Sequence, residues 1–121
     1  MSAFQIKEER TGPVTLLRAA GRLILGDGPE ALRATIDASL ARGDTKLVLD
    51  MSAVTYVDSA GLGAVVSGFS TARTRGATLV LAGLTKRVAD LLQMTKLLTV
   101  FETFPTADDA VLQLAAAPPG E

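Results

Sequence analysis

The sequence predicts a single α/β domain with a mostly parallel central sheet flanked by helices, in the order β-β-α-β-α-β-α-β-α. Three observations predict it. Two short apolar runs, Leu47-Val48-Leu49 and Leu79-Val80-Leu81, read as strands buried on both faces. Segments with apolar residues three and four apart stand between and after them, as amphipathic helices do. The length, 121 residues, fits one compact domain and leaves no room for a second.

The elements follow in order. Phe4 to Arg10 alternates apolar and polar residues, as a half-buried strand would. Thr11-Gly12-Pro13 is a turn, Val14 to Ala20 its hairpin partner, and Gly21 the expected end of that strand. Gly26-Asp27-Gly28-Pro29 breaks the chain and opens a helix, with Gly28 as N-cap and Pro29 at the first helical position. Leu32, Ile36 and Leu40 share one face of it, and Gly43 stops it. Lys46 to Asp50 is the next strand, followed by an extended connection in which Val54 and Tyr56 are the expected anchors. Leu62, Val65, Val66, Phe69 and Ala72 give a second helix by their spacing, and core is the ordinary role of such a stripe. Gly76 ends it, and Ala77 to Ala82 form another buried strand. Thr85 caps a third helix whose Val88, Leu91 and Leu92 point inward. A short strand is expected around Val100-Phe101. Thr106-Ala107-Asp108-Asp109 opens a last helix carrying Val111, Leu114 and Ala115. The domain is placed at residues 4–115, and residues 116–121 read as a disordered tail. Crossovers between parallel strands are right-handed, so only the N-terminal hairpin adds an antiparallel pair.

Composition removes several functions. Apolar residues make up 48% of the chain, which supports a sizeable core. Twelve basic and thirteen acidic residues leave a net charge of −1, which argues against a direct nucleic-acid binder. Arg73 with Arg75, and Lys86 with Arg87, are pairs of the size found on solvated helix faces. With neither Cys nor His there is no thiol nucleophile, no imidazole acid–base chemistry, no Cys/His zinc site and no disulfide. No signal peptide or apolar run of membrane-spanning length is visible, so a cytoplasmic protein without membrane insertion is expected. No cofactor, metal or catalytic residue is expected either.

The stretch from Leu47 to Val66 is the least generic part of the chain. A buried strand ends at Asp50, and an extended segment leads to Asp58-Ser59-Ala60-Gly61-Leu62-Gly63 at a helix start. This places Asp58 and Ser59 at the carboxyl edge of the sheet, where open α/β folds bind ligands and partners. Ser59 falls at the N-cap or in the first turn, beside unsatisfied N–H groups and the positive end of the helix dipole. A phosphate would be accommodated there. Gly61 and Gly63 are poor helix formers, about 1 kcal/mol worse than Ala, and imply that a backbone or a partner comes close. Taken alone, the motif is also what an ordinary cap looks like, with Ser59 the N-cap, Asp58 a turn residue and the glycines packing devices.

The segment resembles the signature of STAS domains, shared by anti-sigma factor antagonists and the cytoplasmic tails of sulphate transporters. The resemblance runs from about Phe4 to Ala115 and includes Gly83-Leu84-Thr85-Lys86-Arg87-Val88 and Leu91-Leu92-Gln93-Met94-Thr95-Lys96-Leu97. In the antagonists the Ser after the Asp is phosphorylated by a kinase that is itself the anti-sigma factor, and Ser59 matches it. The resemblance therefore implies a phosphorylation-switched binding module, not an enzyme. Unmodified, it would sequester an anti-sigma factor serine/threonine kinase through Asp58, Ser59, Ala60, Gly61, Leu62 and Gly63, freeing a sigma factor. A phosphatase acting on phosphorylated Ser59 would reset it. Two departures stand out. Ala60 replaces a common Ser, leaving Ser59 as the only hydroxyl of the turn. The acidic residue of a Gly-x-Leu-Asp pattern is absent where this chain reads Gly21-Arg22-Leu23-Ile24, with Asp27 only later.

Other readings carry less. Asp50 at a strand end resembles a phospho-accepting carboxylate, but the accompanying acidic pair and late Lys of a receiver are missing, and Ser52 stands where an aspartyl phosphatase needs a second Asp. A strand-end cap is the expected role of Asp50. Gly61-Leu62-Gly63 lacks the rest of a nucleotide-binding pattern. The remaining alternative is a non-switching STAS scaffold subunit of a stress-signalling assembly or membrane transport complex.

Overall fold

The structure is a computed structural model that describes residues 4–116. The element order is the predicted one: β1 (Phe4–Thr11), β2 (Val14–Leu23), α1 (Asp27–Ala41), β3 (Lys46–Val57), α2 (Ser59–Thr74), β4 (Thr78–Ala82), α3 (Lys86–Met94), β5 (Thr103–Phe104) and α4 (Ala107–Ala116). The strands lie side by side in sequence order. β1 and β2 form the antiparallel hairpin and every later pair is parallel.

Side-chain alternation along the strands builds two cores. Leu17 and Ala19 of β2, Leu47, Leu49 and Met51 of β3, and Leu79 and Leu81 of β4 face one way. They meet Leu32 and Ile36 of α1, Val65 of α2, and Val88 and Leu92 of α3. The intervening residues Val14, Leu16, Val48, Val80 and Ala82 face the other way and are covered by Ala107, Ala110, Val111 and Leu114 of α4. Three helices on one face follow from the topology. With strands laid down in sequence order, successive right-handed crossovers all fall on the same side. The final helix, which crosses over to no further strand, covers the other.

The structure corrects the expected boundaries in five places. β2 does not end at Gly21 but continues to Leu23, with Gly21 at φ 95, a conformation that favours glycine. β3 does not end at Asp50: it runs on to Val57, and the pairing with β2 advances irregularly. Arg18 pairs with Asp50 but Ala20 with Ala53, and Gly21 pairs with Val54 but Arg22 with Tyr56, so β3 carries an extra residue at each step. α1 begins at Asp27 with Gly26 as N-cap, because Gly28 is buried inside the first turn against Phe4 and Leu23. The last strand lies at Thr103–Phe104, not at Val100–Phe101. Phe101 is drawn instead into an edge-to-face contact with Phe69 of α2, centroids 5.0 Å apart, and Val100 is left exposed in a turn. At the C-terminus α4 reaches Ala116, one residue into the expected tail, and residues 117–121 lie outside the described residues.

Gly43 and Gly76 end α1 and α2 as predicted, and Thr85 and Thr106 accept the hydrogen bonds of Val88 N–H (3.3 Å) and Asp109 N–H (3.1 Å) at the starts of α3 and α4. α1 and α2 pack closely because α2 presents small residues to its neighbour. A Cβ added at Gly68 would sit 2.5 Å from Ile36 Cδ1.

Candidate functional site

The turn from β3 into α2 is organised by Asp58. Its backbone N–H donates to the Leu23 carbonyl (3.2 Å) and its own carbonyl accepts from Leu62 N–H (2.8 Å). Its carboxylate does two further things. Oδ1 accepts from Gly61 N–H at 2.9 Å, which caps α2, and Oδ2 accepts from Leu25 N–H at 2.9 Å. One side chain thus clasps the exit of β2 to the start of α2. The N-cap is Asp58 and not Ser59. Ser59 is the first helical residue and is exposed, and its hydroxyl has no hydrogen-bond partner among the described residues. The two residues the sequence could assign interchangeably to capping are therefore separated: Asp58 holds the turn, and Ser59 is left available on it.

The rest of the motif divides in the same way. Ala60 and Leu62 are half-buried. Gly61 is buried because the Leu23 carbonyl occupies the place of its side chain: an added Cβ would lie 2.0 Å from that oxygen. The close approach expected at this glycine is therefore made by the protein's own backbone. Gly63 is exposed, and its surroundings are open except for Arg33 Nη2 of α1, 4.0 Å from where a Cβ would be.

The Gly61 N–H first, and the Leu25 N–H next, hold the Asp58 carboxyl below the usual carboxylate range. A carboxyl depressed in the folded state contributes stability above its unfolded pKa, about 3.9, and loses it as pH falls through the lower folded value. In an acid titration followed by NMR, the Gly61 and Leu25 amide resonances should move together, with a midpoint below about 3.9. Asp58→Asn, an equally good neutral cap, should abolish that movement. Persistence of the titration in the variant would show that another group drives it.

Three neighbours of the site were not legible from the sequence. Leu25, adjoining the clasp, is 81% exposed, at the position just after the Ile24 segment that departs from the acidic pattern. Tyr56, an expected anchor, is not one: Val54 is fully buried, whereas Tyr56 is exposed, with the Arg87 guanidinium 5.5 Å from its ring centroid. Arg87 therefore does more than solvate a helix start, although Lys86 beside it only pairs with Asp90 one turn on (2.8 Å). Tyr56, Val57, Arg87, Leu91 and the exposed Met94 line a groove of about 530 Å³ between the end of β3 and α3. A stacked aromatic–arginine pair is not a periodic signal, so nothing in the spacing announced it.

Asp50 lies on the opposite face of the sheet. It shares the alternation of Val48 and Leu16, which face α4, and is buried in mid-strand, not at a strand end. Arg18 Nη1 donates to Oδ2 at 2.9 Å and the Ser52 N–H to Oδ1 at 3.0 Å. Both carboxylate oxygens are engaged in structure, and the sheet separates them from Ser59. Among the described residues no acidic cluster could hold a metal ion. No helix there is long and apolar enough to cross a membrane.

This combination, a capped Asp-Ser-x-Gly-Leu-Gly turn at the carboxyl edge of a five-stranded sheet, agrees with comparison to known proteins. The model of the STAS domain family matches residues 5–110. The chain belongs to the STAS domain family. Among its relatives, the anti-sigma-B factor antagonists of Listeria monocytogenes and Listeria innocua are each 31% identical to this STAS domain over 100 residues, 83% of this chain and 86% of theirs. An anti-sigma factor antagonist from Mycobacterium paratuberculosis has the same fold, with a TM-score of 0.81 at 23% identity over 92% of this chain and 93% of that one. So has a sulfate transporter family protein from Wolinella succinogenes, with a TM-score of 0.75 at 20% identity over 84% of each chain. The fold therefore occurs in both settings and does not by itself choose between them.

Proposed function

We propose that this STAS domain is an anti-sigma factor antagonist switched by phosphorylation of Ser59. The observation that carries the reading is the separation of roles at the turn. Asp58 caps the helix and clasps Leu25, while Ser59 is exposed and unbonded among the described residues. A serine needed as a cap would have to give up that bond to be modified. The relatives that are 31% identical are anti-sigma-B factor antagonists, which supports this setting over that of a transporter.

In this reading the chain is a cytoplasmic binding module that catalyses nothing and needs no cofactor. In its unmodified state it occupies an anti-sigma factor kinase through the surface around residues 58–63, and the sigma factor is released. The kinase transfers the γ-phosphoryl group of ATP to Ser59 Oγ; ADP leaves, and the hydroxyl proton passes to a base of the kinase. The product carries about 1.5 to 2 additional negative charges beside Asp58, and charge repulsion together with desolvation opposes re-docking. Hydrolysis by a phosphatase returns the serine and inorganic phosphate. Affinity capture with the unmodified chain, from an extract of the cell that makes it, should retain a serine kinase of the anti-sigma type. Retention of transporter or stress-complex subunits instead would support the scaffold role.

A further inference from the structure

We infer that Arg33 of α1 is the intramolecular counter-ion of the phosphoryl group on Ser59, a role that rests on the switch reading above. α1 and α2 run side by side in the same direction: Ile36 meets Gly68, and Arg33, three residues earlier on α1, meets Gly63, five residues earlier on α2. The guanidinium lies beside α2 at position 63, its Nη2 4.0 Å from where a Cβ would be. Ser59 and Gly63 stand four apart on α2, so their side-chain positions are stacked on one face about 5–6 Å apart. The guanidinium thus lies within about 10 Å of the Ser59 Cβ, by addition of those two distances. An arginine rotamer change and the length of a phosphoserine side chain close that gap.

Chemistry favours the pairing. Among the described residues Arg33 has no ion-pair partner, so no existing bond must break. By contrast Arg18, Arg42 and Lys86 are all engaged with carboxylates. A guanidinium fork matches two phosphate oxygens, where the hydroxyl of unmodified Ser59 offers little to it. The small residue at 63 leaves this approach open, where a long side chain would crowd it. Pairing would also withdraw a positive charge from the partner-facing surface as the negative charge arrives, so one modification changes two features of the docking site.

The other charged groups of these elements are Asp58 at the N-cap, Asp27 and Glu30 in the first turn of α1, Asp37 four residues after Arg33 on α1, Arg22 on β2, and Lys86 and Arg87 on α3. The carboxylates oppose ionisation of the phosphate, and Arg22 and Arg87 are the rival cations. The test uses the full chain with phosphoserine encoded genetically at position 59, so its outcome does not depend on whether a kinase modifies Ser59. The second ionisation of the phosphate, ordinarily near pH 6, is followed by phosphorus NMR. In the otherwise unaltered protein it should fall about half a unit or more below that of Arg33→Gln, with Arg33→Lys between them. Arg22→Gln and Arg87→Gln should titrate with the unaltered protein. Coincident titrations for the unaltered protein, Arg33→Gln and Arg33→Lys overturn the inference, and so does a shift that follows Arg22 or Arg87 instead. Failure of a kinase to modify Ser59 would overturn the switch reading alone.

Discussion

Ser59→Asp is expected to weaken binding to the anti-sigma factor kinase about tenfold or more, while Ser59→Ala binds as tightly as the unaltered protein and cannot be switched off. The asymmetry follows from the turn. Ser59 carries no cap and no hydrogen bond to another described residue, so removing its hydroxyl leaves the clasp of Asp58 intact. A carboxylate at 59 instead stands beside the Asp58 carboxylate at the proposed docking edge, and like charges brought together there oppose association by about a kcal/mol or more. Calorimetric titration of both variants with the purified kinase checks the prediction. Equal affinities would remove charge at Ser59 as the switch and favour the scaffold role.

The two glycines of the motif should respond oppositely to alanine. Gly61→Ala places a Cβ 2.0 Å from the Leu23 carbonyl oxygen, and Leu23 is a fully buried part of β2 that also accepts the Asp58 N–H. Neither backbone can yield without opening the clasp, so a loss of roughly 3 kcal/mol or more, at the upper end for an overpacked interior, is expected in urea denaturation. Gly63→Ala meets only the tip of a flexible arginine at ordinary contact distance. It should leave stability unchanged or raise it by up to about 1 kcal/mol, the helix propensity gained. Comparable destabilisation by both would mean that the motif is constrained as a unit and that the contact with Leu23 is not the reason.

The contrast also shows how far the sequence could be read. Element order and type were legible because the buried strands are continuous apolar runs and the helices repeat at 3.6 residues. The far half of β3 was not. Its two extra residues against β2 break the alternation, so Met51, Val54 and Val57 are buried at a spacing of three, which matches no regular strand. Gly21 resembled a terminator because a glycine at positive φ within a strand and one at its end look alike in sequence. The position of β5 was set by Phe101 packing on Phe69, a contact between elements far apart in the chain.

Within the site, the motif located the turn, but propensity alone could not say which of two good capping residues caps it. Asp58 takes the role because its second carboxylate oxygen also satisfies Leu25 N–H, a partner that only the fold brings near. Leu25, the Tyr56–Arg87 stack and the approach of Arg33 to Gly63 all arise from tertiary proximity. Asp50 shows the converse. Its position in the chain suggested a strand-end cap, but the strand continues past it and alternation turns it to the α4 face, where Arg18 and the Ser52 N–H engage it.

The most direct test of the account is the site of modification itself. The purified chain is incubated with its cognate kinase and ATP, and the phosphorylated peptide is sequenced by mass spectrometry. One phosphoryl group, located on Ser59 and absent from Ser59→Ala, is the predicted result. Modification of another residue with Ser59 untouched would contradict it.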